Sequence, residues 1–161
     1  MTELDAVRDA YLTLVDCHTV TAELLRKSSK GPTFHGTVFQ NKSLNEAKRL
    51  LAQARTELDD WAILSLVSMF ERILLKHDRT PLGSKTLRVE TKRLPHAIKQ
   101  FGKPVDPRTY DDVERLCQYR NWVAHGKRWG KPAHADPASA YQRLVDFLIQ
   151  AGLETKAGYK V

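Results

Sequence analysis

The chain has 161 residues, a formal net charge of +7 and 28% charged residues, and a sequence pI of about 9.5. This length predicts one domain over residues 1–161 that buries a core without structural metals or disulfides. The basic charge favours a polyanionic partner, RNA or DNA. Because no apolar run has membrane-spanning length and the acidic N-terminus does not resemble a signal peptide, we expect a cytoplasmic protein without membrane contact.

Amphipathic spacing predicts an all-α bundle of about five helices and no confident strand. The first helix, about residues 2–27, carries an apolar stripe that includes Leu14. His18 lies on the same stripe, which favours a satisfied core or interface histidine over a catalytic one. We expect a frayed tail from about residue 154.

A long second helix follows a loop that is marked by glycine and proline. Ser43 and Glu46 have the spacing of a capping box and so predict its beginning. Apolar residues continue through Trp61 to about Leu75. The second half of this helix is apolar over most of its circumference, so we expect it to be the central buried helix.

The remaining segments have weaker patterns. Residues 84–107 are strongly basic and predict one or two short helices, whose outer face either contacts phosphates or is simply solvated. A further helix is expected from about Thr109 to Gly126, with Thr109 as its N-cap. Asp136 or Ser139 begins the last helix.

The two cysteines and the histidines do not predict a metal or cofactor site. Cys17 and Cys117 both lie in helical patterns and are most simply interpreted as free buried thiols, with a disulfide or a catalytic nucleophile as the alternatives. His125 and His134 lack cysteine or carboxylate partners at ligand spacing. We therefore expect no metal and no cofactor.

The segment from Arg120 to Gly126 contains the side chains that are best suited to binding and cleaving a phosphodiester. It contains a cation, the amide of Asn121 and the imidazole of His125. Arg120 falls in the middle of an apolar arc of its helix, where a charge must be paired or must face another subunit or an anionic ligand. Two other Arg–His pairs with similar spacing, at 72 and 77 and at 128 and 134, lack this context and are interpreted as solvated charges.

A carboxylate on the central helix matches this buried arginine. Glu71 lies inside the broad apolar arc of the second helix, and buried glutamate is rare unless it is paired. We predict that Glu71 pairs bidentately with Arg120 and orients its guanidinium. The alternatives are an unrelated polar contact or a helix rotation that exposes Glu71 to solvent.

The segment YRNWVAHG at residues 119–126, which follows a long apolar helix with Phe70-Glu71, resembles the signature of the HEPN superfamily. That signature is an arginine, four to six residues and a histidine, commonly with Asn, Asp or His after the arginine. The resemblance covers about residues 44–150. It implies a helical bundle that dimerises and, in many members, a metal-independent endoribonuclease that acts as a toxin or antiviral effector.

For this chain, the resemblance implies RNA cleavage by a homodimer that leaves a 2′,3′-cyclic phosphate and a 5′-OH. An antitoxin or inhibitor protein would restrain the activity. The expected catalytic residues are Arg120, Asn121 and His125, with Glu71 behind Arg120. The basic, aromatic segment after the motif is expected to guide and stack RNA through Lys127, Arg128, Trp129 and Lys131.

The chain departs from some HEPN toxins at one position, and two functions other than RNA cleavage are also considered. Some HEPN toxins have a tyrosine two residues after the histidine, which their antitoxin modifies; Lys127 stands there, so that regulation is not expected. A non-catalytic RNA- or protein-binding module is the main alternative, with Arg120 as a structural ion-pair member and His125 as a helix-end histidine. DNA binding is a third option, although no helix-turn-helix spacing supports it.

Overall fold

The computed structural model describes residues 2–27, 35–77, 93–127, 130, 132 and 135–154. These residues form five helices and no strand, which confirms the all-α prediction for the described part of the chain. The helices are α1 (Glu3–Lys27), α2 (Leu44–His77), α3 (Arg93–Phe101), α4 (Pro107–Ala124) and α5 (Pro137–Gln150). Among the described residues, none of the helices combines the length and the apolar character needed to cross a membrane.

The long helix α2 is central to the bundle, as its apolar second half predicts. It packs against each of the other four helices, while α5 also contacts α1 and α4. The core lies around its second half, where the fully buried ring of Phe70 meets Phe147 of α5 edge-on, with ring centroids 5.3 Å apart. The side chains of α2 therefore have neighbouring helices on several sides.

Side-chain caps define where the helices begin. The Ser43 amide donates to Glu46 Oε2 at 2.8 Å and the Glu46 amide donates to Ser43 Oγ at 3.3 Å, which confirms the capping box. The α4 prediction is wrong: Asp106, not Thr109, is the N-cap. Asp106 outcompetes Thr109 because the following proline suits the first helical position. Asp136 caps α5, as one of the two predicted alternatives.

Several predicted burials need correction. Leu14 and Trp61 are 45% and 50% exposed rather than buried in the bundle. Trp61 lies on the outer side of α2, in line with the exposed Ser68 and Arg72. Both cysteines are free, but Cys17 is exposed and Cys117 is only partly buried. His18 is satisfied, as predicted, through a 3.0 Å hydrogen bond between Nε2 and the Leu51 carbonyl oxygen.

The turn between α3 and α4 requires a glycine at position 102. A Cβ there would lie 2.5 Å from Tyr110 Cδ2 and 2.6 Å from the Ile98 carbonyl oxygen. We expect Gly102→Ala to lower the free energy of unfolding by about 1–3 kcal/mol, the usual cost of overpacking, as measured by urea denaturation. Gly130→Ala is the matched control, since a Cβ at 130 meets nothing within 4 Å. Equal stability of the two variants would contradict this prediction.

Candidate functional site

A groove of about 590 Å³ lies between α3 and α4, with α2 at its base. All four residues that the motif analysis selected as catalytic or supporting line it: Glu71, Arg120, Asn121 and His125. Its remaining walls are apolar on the α3 side and mixed on the α4 side. The volume is within the range of about 300–1,000 Å³ that is typical of small-ligand sites.

The predicted pairing of Glu71 with Arg120 is confirmed. Arg120 Nη2 donates to Glu71 Oε2 at 2.7 Å, and the two side chains are 20% and 25% exposed. The predicted bidentate geometry is wrong, because this is the one hydrogen bond found between them. Arg120 Nε is buried and has no hydrogen-bond partner among the described residues. A ligand oxygen that reached this N–H would relieve its desolvation cost.

Helix α4 is rotated relative to the sequence-based prediction. Its buried face is formed by Val113, Leu116, Tyr119 and Trp122, so Tyr119 and Trp122 belong to the core. Arg120 therefore lies at the edge of the buried face rather than in its middle, where its guanidinium reaches both α2 and the groove. Asn121 and His125 are exposed and line the groove.

The backbone after His125 turns sharply to end α4. The Gly126 amide donates to the Val123 carbonyl at 3.0 Å, and the Lys127 amide donates to the Trp122 carbonyl at 2.9 Å. Gly126 and Lys127 both have positive φ angles, of 73° and 59°. Glycine adopts this conformation readily, whereas lysine does so at a cost, so contacts of the Lys127 side chain must hold it there.

Those contacts form a second carboxylate-centred network, which the sequence analysis missed. Lys127 Nζ lies 2.7 Å from Asp60 Oδ2 and 2.8 Å from Glu57 Oε1, and the Tyr119 hydroxyl donates to Asp60 Oδ1. Asp60 is only 5% exposed. The Asp60 carboxylate therefore contacts Tyr119, directly before Arg120, and Lys127, two positions after His125. These contacts attach both ends of the motif to α2.

The network raises the pKa values of two of its members. Hydrogen bonds to Asp60 and then to Glu57 raise the pKa of Lys127, which keeps its ammonium charged. Burial, followed by the hydrogen bond to Asp60, raises the pKa of Tyr119, which keeps its phenol protonated. Both groups are thus held in the form that donates to the carboxylate.

The predicted RNA-binding residues are placed only in part. Lys127 is described, and its ammonium is engaged by Asp60 and Glu57 rather than lining the groove. A contact of Lys127 with RNA stays a prediction. Arg128, Trp129 and Lys131 lie outside the described residues.

Cys117 forms part of the groove wall but is a poor nucleophile. Burial raises the pKa of its thiol to about 12, against an opposing effect of the nearby Arg120. The reactive thiolate is therefore scarce near neutral pH. Within the described part of the chain, no group of three His, Cys, Asp or Glu side chains could hold a metal ion.

Fold and groove together define the class of this protein: an all-α bundle whose fourth helix presents an arginine, an amide and a histidine to an open groove. A comparison of the chain with family models, with curated proteins and with solved structures found no match.

Proposed function

We propose that this protein is a metal-independent endoribonuclease related to the HEPN superfamily. One observation carries the proposal: Arg120, oriented by Glu71, shares one groove with Asn121 and the exposed His125. A fixed cation, an orienting amide and a proton carrier are the groups that cleavage of a phosphodiester needs. The net charge of +7 also suits a polyanionic substrate.

The reaction is an internal transesterification. The RNA 2′-oxygen attacks the adjacent phosphorus and loses its proton, the bond from phosphorus to the 5′-oxygen breaks, and that oxygen gains a proton. The products are a 2′,3′-cyclic phosphate and a 5′-OH. His125 acts as general acid or base, Arg120 stabilises the charge on the phosphoryl oxygens, and Asn121 orients the phosphate or the imidazole.

The active unit is a homodimer in which the motif helices of two subunits form one composite cleft, as the family resemblance implies. The protein acts in the cytoplasm as a toxin or antiviral effector, restrained by an antitoxin or inhibitor protein. The non-catalytic RNA- or protein-binding module is less favoured, because His125 is exposed and lines the groove rather than being packed away.

Cleavage of a labelled RNA pool in EDTA tests the proposal. The wild-type protein is expected to cleave it and to leave cyclic-phosphate ends, identified by their resistance to a phosphatase until acid opens the ring. His125→Ala, purified in parallel, controls for contaminating nuclease, and light scattering reports the oligomeric state. Absence of cleavage by a folded, dimeric wild type would favour the non-catalytic module instead.

A further inference from the structure

We propose that the groove also holds a guanine base of the nucleotide next to the scissile phosphate, and that Glu114 and Gln118 recognise it. This inference rests on the proposed function, because it takes the phosphate to lie at Arg120. Both recognition residues line the same groove as Arg120 and precede it on α4.

The groove has an apolar side against which the face of a base can pack. Its α3 wall is formed by Leu94, Pro95 and Ile98, and Cys117 adds an apolar group from α4. Leu94 and Ile98 are buried in the core, at 6% and 3% exposure, so this wall is firmly supported. Unpaired RNA bases are commonly recognised by packing one face on protein and hydrogen-bonding their edges.

On its polar side, the groove has a negative charge at one end and a positive charge at the other. Glu114, Gln118 and Arg120 follow one another along α4 and all line the groove. At about 1.5 Å of rise per residue, Glu114 lies about 9 Å along the helix axis from Arg120. This separation is comparable with that between the phosphate of a nucleotide and the far edge of its base. The Glu114 carboxylate repels phosphate, whereas the Arg120 Nε–H, which Glu71 leaves without a partner among the described residues, can donate to it, so one orientation of a nucleotide is favoured.

Guanine satisfies this arrangement better than the other bases do, since adenine and cytosine place an acceptor ring nitrogen beside their amino group. Its N1–H and amino group are adjacent donors that one carboxylate can accept together, and its O6 is an acceptor for the Gln118 amide. Uracil offers one N–H donor between two carbonyl oxygens, which would face the Glu114 carboxylate unfavourably. Burial, and then the nearby Glu114 carboxylate, raise the pKa of the Tyr110 phenol, which lies one helical turn before Glu114.

Calorimetric binding of mononucleotides to the full chain tests the inference without requiring cleavage. The probes are 3′-GMP, 5′-GMP, 3′-UMP and 5′-UMP, so that either side of the scissile phosphate can be represented. We expect at least one guanosine nucleotide to bind about tenfold or more tightly than its uridine counterpart, as a paired hydrogen-bond contact to a base edge allows. Glu114→Gln is expected to reduce that ratio to about threefold or less.

Asp111→Asn is the matched control, because it makes the same change of charge on α4 at an exposed residue that does not line the groove. It should keep the guanine preference. An unchanged ratio in Glu114→Gln, or no binding of any probe to the wild type, would overturn the inference. Selective binding of guanosine without RNA cleavage would instead refute the proposed function, whereas cleavage by the wild type with no base preference would refute only the guanine site.

Discussion

Replacing His125 with alanine is expected to lower kcat for RNA cleavage by about 10²–10⁴-fold, the usual contribution of a general acid or base. The side chain lines the groove, while the contact of His125 with the helix end is made by its backbone amide, 3.0 Å from the Asn121 carbonyl oxygen. Alanine keeps that amide, so the end of α4 should persist and the Kd for RNA should change little.

Steady-state kinetics on a defined oligonucleotide and direct measurement of RNA binding distinguish these effects. His96→Ala is the control, since His96 is exposed on α3 and does not line the groove. It should retain wild-type kcat. If His125→Ala kept kcat within about threefold of the wild type, His125 could not carry the proton, because a general acid or base contributes at least about 10²-fold.

Replacing Asp60 with alanine is expected to lower the free energy of unfolding by about 2–3 kcal/mol, because it removes the buried acceptor at the centre of this network. The Tyr119 hydroxyl, on a residue that is 2% exposed, would lose its acceptor. Lys127 would lose its 2.7 Å contact and with it much of the restraint on its strained backbone. Urea denaturation followed by circular dichroism measures this change.

Glu57→Ala provides the comparison for Asp60→Ala. Glu57 also pairs with Lys127, but its side chain is 62% exposed, so its loss should cost about 1 kcal/mol or less. In a double-mutant cycle, Tyr119→Phe should cost far less in the Asp60→Ala background than in the wild type, because the hydroxyl then has no carboxylate to bind. Additive effects would show that the Tyr119 hydroxyl and Asp60 are not coupled.

The parts of the fold and site that the sequence predicted depend on strong, local physical constraints. A serine followed three residues later by a glutamate satisfies exposed amides at a helix start, and the Ser43–Glu46 box formed as expected. A buried charge needs a partner, and for this reason Glu71 and Arg120 could be paired across 49 positions. The bidentate geometry failed because it depends on small differences in helix rotation, which residue spacing does not determine.

The Asp60 network was missed although part of its signal was present. Asp60 precedes Glu71 by three helical turns, so both carboxylates lie on nearly the same face of α2. A buried carboxylate at position 60 therefore needs a partner for the same reason as Glu71 does. Its partner Lys127 could not be found in this way, because a lysine with a positive φ angle after a helix end is not distinguishable by sequence from an ordinary solvated lysine.

Asp60 and Glu71 both lie on the single helix α2. The number of residues between them therefore fixes how the two carboxylates are oriented relative to each other. Glu71 holds the arginine, and Asp60 holds the residues that flank the motif, across eleven positions of α2. One residue inserted between them would rotate one carboxylate by about 100° relative to the other. The segment of α2 from 60 to 71 should therefore tolerate substitutions at its exposed positions in natural variants but no insertion or deletion.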